Sequence, residues 1–472
     1  MNKEEICFMS ACDMVDVIKR QELTSQEITE IIIERIEKIN PIINAYCTTT
    51  FDLAREMAKK ADDAVKKGKK LGLLNGIPVS IKDLAMTKGI RTTFGSKIYE
   101  NFIPKEDTIA VERLKDAGCV ILGKTNTPEF GWKGVTDNLI FGQTKNPWNL
   151  KRTPGGSSGG AASAEASGLC ILALGSDGGG SIRIPSAFCG VFGLKPSFRR
   201  IPLYPLENLF GETLAVPGPI VRYTKDAALM LDVLKGPHDG DRYSLPEQDI
   251  NYFKAIEEKR KKLKIGVSLD LGFAKIIDSE VEKVVLNSAK KFETFGWDVE
   301  NAKMKRKNPE LSFLTLWTSQ LAYDLKPMLK EWRDKLDPDL VKALNAGLGS
   351  SGMSVMKAMK FRKNYYEIFY HIFKEYDILI TPTTAVTAFD LGIVFPPKIN
   401  EKSVSPTEWH PYTFPFNLTG HPAASIPCGW SSDGLPIGMQ IVGSRFDELT
   451  VLQVSKAFEE IQPWQEKKPQ FN

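Results

Sequence analysis

Lys82 closes the run Ile77-Pro-Val-Ser-Ile-Lys, and two glycine–serine clusters follow it: Gly155-Gly-Ser-Ser-Gly-Gly160 and Ser176-Asp-Gly-Gly-Gly-Ser181. Serines in such company are turn-formers or nucleophiles. A serine hydroxyl is a weak nucleophile and needs a base within hydrogen-bond reach. The clusters contain no histidine, and the G-x-S-x-G elbow of the α/β-hydrolases is absent. A serine–lysine arrangement is the known alternative, and Lys82 is the nearest well-placed lysine upstream. At an ordinary pKa of about 10.4 only ~0.04% of a lysine is neutral at pH 7, so a fall of ~3 units, about 4 kcal/mol, is needed. Burial at an apolar strand end works in that direction. Gly178, Gly179 and Gly180 offer backbone amides that no side chain obstructs, a suitable cradle for an oxyanion formed at Ser181. Alone, a strand-end lysine is a solvated charge and a glycine run is a turn. Two serine clusters together with that lysine point to acyl chemistry.

The flanking sequence predicts the scaffold that must hold these residues. The first 70 residues read as helices. Thr24-x-x-Glu27 is a capping-box pattern, and Ile28, Ile31, Ile32, Ile36 and Ile39 share one face until Pro41. From Gly76 short apolar strands alternate with helices: 77–82 strand, 107–118 helix, 119–123 strand, 161–168 helix, 169–174 strand. That alternation predicts an α/β sheet covered on both faces. Residues 201–250, rich in Pro, Gly and Asp, read as long surface connections. Helices are predicted over 278–295, 309–333, 352–374 and 447–461, with strands at 376–381, 423–427 and 438–442.

Other chemistries fare poorly. Gly118-Cys-Val-Ile-Leu-Gly-Lys-Thr125 spells a phosphate loop, but its middle residues favour a strand and Thr-Asn-Thr-Pro128 opens no helix. The four histidines are scattered without metal-ligand spacing. Lys+Arg 62 against Asp+Glu 58 leaves a net charge of +4, which gives no support for nucleic-acid or membrane partners. Seven widely spaced cysteines, with no C-x-x-C pair, fit buried thiols in a reducing compartment. The Asn417-Leu-Thr sequon would then be idle. No leader or membrane span is apparent, and a cytoplasmic protein is the expectation.

Taken together, Lys82, Gly155–Gly160 and the run Ser176-Asp-Gly-Gly-Gly-Ser-Ile-Arg-Ile-Pro-Ser-Ala-Phe-Cys-Gly190 resemble the amidase signature family. The match is dense from about Asn75 to Pro196. Weaker similarity through Phe414–Pro422 and Gly434–Gly443 extends it over nearly the whole chain. The resemblance implies one α/β domain over 1–472, a large twisted mixed sheet wrapped in helices. Helices fill 1–70, the signature core 75–196, and the rest of the α/β part, with pocket segments, 250–472. It implies a Ser–cis-Ser–Lys triad, with Ser181 as nucleophile, Ser157 on a cis peptide bond and Lys82 as base. Gly178, Gly179 and Gly180 match the oxyanion-hole amides, with Ser181 itself, while Ser158, Asp177 and Arg183 are expected to support the loop. Many members read Thr-Asp-Thr-Gly-Gly-Ser here. The changed position, Gly178, contributes mainly its backbone. No cofactor or metal is implied, the partner is a small amide, and a homo-oligomer is left open.

Within the family, Trp409 to Cys428 is similar to stand-alone amidases such as aryl acylamidases and 6-aminohexanoate cyclic-dimer hydrolases. The rival is the glutaminase component of the tRNA-dependent amidotransferase, which implies tRNA and a further protein as partners. That component carries an aspartate for glutamine's amino group shortly before its Ala-Asn-Leu-Ala-Gly stretch. Here Tyr412-Thr-Phe-Pro-Phe-Asn is aromatic and uncharged. An inactive, binding-only relative would lack the lysine or a serine, and both are present. Trp132, Trp317, Tyr412 and Phe414 are the pocket candidates.

Overall fold

Eleven strands from residue 46 to residue 443 form one sheet in the computed structural model, which describes residues 1–205, 213–258 and 260–471. In chain order they are β1 Tyr46–Thr49, β2 Pro78–Lys82, β3 Val120–Thr125, β4 Leu172–Asp177, β5 Phe192–Lys195 and β6 Val216–Val221. β7 Lys264–Val267, β8 Asp298–Asn301, β9 Ile378–Pro382, β10 Ala423–Trp430 and β11 Pro436–Gly443 follow. Their spatial order is β1-β3-β2-β4-β6-β5-β10-β11-β9-β7-β8. β3–β2–β4 and β9–β7–β8 pair in parallel, and the pairs between these blocks are antiparallel, so the sheet is mixed. β2, β3, β5, β6, β9 and β11 are buried at every residue, as strands covered on both faces must be.

Local signals were good guides to the helices. Thr24 caps Ser25–Ile43 with the full capping box. Ile28, Ile32, Ile36 and Ile39 are buried, and the helix runs two residues past Pro41 before Asn44 ends it in the left-handed region (φ 53°). Asp278 caps Ser279–Lys290, and Asp447 caps Glu448–Ile461. Gly118–Thr125 is not a phosphate loop: β3 occupies all but its first two residues, as the apolar middle predicted.

Three expectations need correction. The first 70 residues are not all helical, because Tyr46–Thr49 adds an edge strand against β3. Residues 201–250 are not all surface connections. Val216–Val221 is a fully buried strand between β4 and β5, and Thr224–Leu234 is a helix. Its Pro217 and Pro219 fall outside the stretch paired with β5, which covers only Ile220 and Val221, so a central strand can hold them. Finally, β4 starts three residues later than its apolar run suggests. β6 pairs with Gly175, Ser176 and Asp177 and draws them into the sheet.

Candidate active site

That shift of β4 decides the site. Neighbouring residues of a strand face opposite sides, so Ser176 and Asp177 enter two different networks. Ser176 turns toward the end of the neighbouring β2, where Lys82 Nζ lies 3.1 Å from its Oγ. The same amine is 2.7 Å from Ser157 Oγ. Ser157 follows a cis peptide bond from Gly156, and the chain then enters the helix Gly159–Ala166. Lys82 is 1% exposed, and among the described residues no carboxylate lies within ion-pair distance of it. Burial pushes its pKa down to about 7, against a modest pull upward from the Asp177 charge. A neutral amine beside a serine hydroxyl can take that hydroxyl's proton.

Ser181 stands at the far end of the glycine turn that follows β4. Its carbonyl accepts a hydrogen bond from Ser158 N–H at 3.2 Å, which ties the two glycine–serine clusters together. Its hydroxyl makes no hydrogen bond among the described residues and faces a cleft. The expected relay is therefore joined directly between Lys82 and Ser157, and through backbone between Ser157–Ser158 and Ser181. Ser158 also bonds the strand end, its Oγ donating to Ser176 O at 3.2 Å.

Asp177 and Arg183 hold the turn rigid from the other side. The guanidinium Nε and one Nη donate to the two Asp177 oxygens, each at 2.9 Å. Its remaining N–H groups go to Thr413 O, Gln440 Oε1 and Asn417 Oδ1, at 2.6–2.8 Å, so all five donors are used. Asn417, the sequon residue, is itself buried and donates to Asp177 Oδ1. Burial alone would raise the Asp177 pKa, but the charge and hydrogen bonds of Arg183 win and hold it well below the usual carboxylate range. The Asp177 carboxylate also accepts from Gly180 N–H at 2.8 Å and Ile182 N–H at 3.2 Å. This corrects one expectation. The Gly180 amide is already engaged, so the amides free to face an oxyanion are those of Gly178, Gly179 and Ser181.

The glycines of the turn are required by close approach. A Cβ on Gly178 would come within 2.8 Å of the Trp317 ring, and one on Gly179 within 2.8 Å of the Phe313 ring. Both rings belong to the helix Glu310–Leu325 and wall a cleft of about 760 Å³ over Ser181. Trp132, Trp409, His410 and Lys133 also line it. Lys82 itself lines a second pocket with mainly apolar walls that include Met86, Phe94, Phe130 and Val216.

Comparison with known proteins names the family. Residues 27–452 match the amidase family. The chain belongs to the amidase signature family. The acylamidase of Rhodococcus erythropolis is 36% identical over 474 residues, covering 99% of this chain and 98% of that protein. A glutamyl-tRNA(Gln) amidotransferase chain of Sulfurihydrogenibium sp. is also 36% identical, over 497 residues, covering 99% of this chain and 100% of that one. Among solved structures, a bacterial aryl acylamidase of the amidase signature family superposes with a TM-score of 0.91 at 30% identity over 97% of each chain. The 6-aminohexanoate cyclic dimer hydrolase gives 0.90 at 28% identity, over 98% of this chain and 99% of that one. The protein is an amide-hydrolysing enzyme.

Of the amidase's four expected pocket aromatics, Trp132 and Trp317 line the cleft. Tyr412 and Phe414 do not. The Tyr412 hydroxyl donates to Leu269 O at 2.6 Å inside a hydrophobic cluster, and Phe414 stacks behind Phe313 with ring centroids 4.9 Å apart. Sequence reasoning missed Ser176, Phe313 and His410. Ser176 was legible as the strand residue two after Leu174, on the same face. His410 was in plain view beside Trp409, but no local pattern marks a lone histidine. Among the described residues no helix is long and apolar enough to cross a membrane, and no three His, Cys, Asp or Glu side chains group as a metal site.

Proposed function

We propose that this amidase cleaves its substrate through an acyl-enzyme on Ser181. Neutral Lys82 accepts a proton from Ser157, which accepts one from Ser181 as its oxygen attacks the amide carbonyl. The amides of Gly178, Gly179 and Ser181 hold the resulting oxyanion. The proton returns through Ser157 to the departing nitrogen, and the C–N bond breaks to leave the ester. Water attacks that ester by the same relay and frees the acid. The observation that carries this reading is the 2.7 Å approach of Ser157 Oγ to a buried lysine amine that no carboxylate neutralises. Closure of the remaining gap between the Ser157 and Ser181 hydroxyls accompanies substrate binding, since catalytic hydrogen bonds commonly tighten only in the complex.

The substrate is an aryl, aliphatic or aminohexanoate-type amide, hydrolysed without a second protein. The aromatic walls of the cleft support this choice over glutamine, as do the stand-alone enzymes named for the solved structures above. The glutaminase reading stays in view because amidotransferase chains match over the full length. A panel of anilides, short aliphatic amides, aminohexanoate oligomers and glutamine, given to the purified chain alone, tests the choice. Turnover of an anilide or oligomer is expected. Glutaminase activity that appears only with a second protein overturns the substrate reading. A fluorophosphonate probe is expected to label Ser181, and labelling elsewhere overturns the mechanism.

A further inference from the structure

The cleft over Ser181 is built mostly of aromatic and aliphatic surface, and its polar side chains are nearly all spoken for. Lys133 Nζ donates to Asp337 at 2.7 Å and to Asp137 at 2.9 Å. Although its burial works the other way, those two carboxylates keep it charged and already paired. Thr318 Oγ1 donates to Leu314 O at 2.9 Å, and Thr407 Oγ1 donates to Glu310. Among the hydroxyl, ammonium and imidazole groups of the wall, two make no such bond in the described residues: Ser181 and His410.

His410 is held firmly in place. Its ring meets Trp409 edge-on with centroids 4.5 Å apart and Phe414 edge-on at 6.0 Å. Its carbonyl accepts from Thr413 Oγ1, which also bonds Gly179 O at 2.8 Å, so the residue is coupled to the glycine turn. Ring nitrogen Nδ1 is shut away from solvent and has no hydrogen-bond partner among the described residues. Burial, with the nearby Arg183 charge adding to it, pushes the pKa down to about 4. Near neutral pH the ring is therefore uncharged, with one N–H donor and one acceptor nitrogen. The other ring nitrogen, Nε2, is not among the sealed atoms and makes no hydrogen bond among the described residues, so a ligand in the cleft can pair it, and a substrate that leaves it unpaired forfeits that bond.

We propose that His410 is a specificity residue, hydrogen-bonding one uncharged polar group on an amide substrate whose apolar body fills the rest of the cleft. This rests on the reading that amides are cleaved at Ser181 in this cleft. The neutral ring selects hydroxyl, carbonyl or second-amide groups. The cation that lines the same cleft, Lys133, is already neutralised by two carboxylates and does not call for an anionic substrate.

Matched acetanilides carrying hydroxyl or methyl at ring position 2, 3 or 4 provide the test, because the two substituents are similar in size and only one forms hydrogen bonds. Dissociation constants are measured with the Ser181→Ala protein, and kcat/KM with the active enzyme. At one ring position at least, the hydroxyl compound is expected to be favoured about five- to tenfold. His410→Phe brings that ratio to about one, while His410→Gln, which keeps a donor and an acceptor, retains part of it. His410→Leu serves the same comparison should the phenylalanine prevent folding. The proposal is overturned if no position favours hydroxyl, if no acetanilide binds, or if the preference survives in His410→Phe or His410→Leu. If Ser181→Ala still hydrolyses the anilides, the serine assignment fails, and the hydroxyl-to-methyl ratio of kcat/KM still reports on His410.

Discussion

Two buried lysines lie side by side in the sheet, and the contrast between them shows what makes one of them useful. Lys82 ends β2, and Lys124 sits on the adjacent β3 opposite Ile81. Both are fully buried, and burial lowers both pKa values, to about 7 and about 8. Their partners differ. Lys124 is within 3.8 Å of Asp83 Oδ1 and donates to Ala85 O, Thr87 Oγ1 and Thr92 Oγ1. Every proton it carries has an acceptor and a carboxylate lies close by, so it is a structural post. Lys82 touches only hydroxyls and one carbonyl of the serine clusters. A charge there is poorly compensated, and a neutral amine is the cheaper form. On the proposed mechanism, the difference between a post and a base is a carboxylate partner.

Exchanging the two lysines for methionine should separate these roles most sharply. Lys82→Met and Ser181→Ala are each expected to lower kcat by on the order of 10⁴-fold or more with the fold retained, read by anilide hydrolysis and circular dichroism. Lys124→Met is expected to do the opposite: it strands Asp83 and costs about 3–5 kcal/mol in urea unfolding, while the folded protein still turns over. Loss of activity in folded Lys124→Met, or full activity in Lys82→Met, would erase the contrast.

Arg183→Met tests whether a fully paired charge behind the site is equally structural. It leaves the Asp177 carboxylate buried without its cation, and a stability loss of about 3–5 kcal/mol is expected in the same unfolding assay. A change below about 1 kcal/mol would mean that Asp177 finds other support.

The lowered pKa of Lys82 also gives a pH signature. Lys82 must be neutral to accept a proton, and the neutral fraction grows as pH rises through about 7. kcat/KM is therefore expected to climb from pH 6 to a plateau above 8, being about tenfold lower at pH 6. A flat profile over that range would remove Lys82 as the titrating base. Smaller effects distinguish cleft from core among the aromatics. Trp317→Ala is expected to raise KM about tenfold, the equivalent of about 1.4 kcal/mol. Tyr412→Phe should leave KM unchanged and cost about 1 kcal/mol of stability, through its lost bond to Leu269 O.

Much of the site was legible from residue types, and the two errors within it have one cause. Lys82 and the glycine turn could be picked out because lysine at an apolar strand end and clustered glycines are locally unusual, while Ser157 was singled out by the family resemblance. Gly180 was assigned to the oxyanion hole because glycine amides look alike in a sequence. Its donor is engaged by a carboxylate three residues earlier, a pairing set by the fold of the turn. Tyr412 and Phe414 were assigned to the cleft because aromatic residues next to a motif can face either way. Only the packing of Glu310–Leu325 decides that Phe313 lines the cleft beside Trp317 while Phe414 stacks behind it.

Helix caps, the α/β alternation and the glycine–serine clusters could be read from the chain alone, since they rest on local periodicity and residue type, and the family from the resemblance those motifs carry. It took the assembled fold to bring Val216–Val221 into the middle of the sheet and draw Ser176 against Lys82. The same packing decided which amides of the turn stay free and which aromatics line the cleft. Those outcomes depend on contacts between residues far apart along the chain, and a neighbour that is absent from the local sequence leaves no mark there.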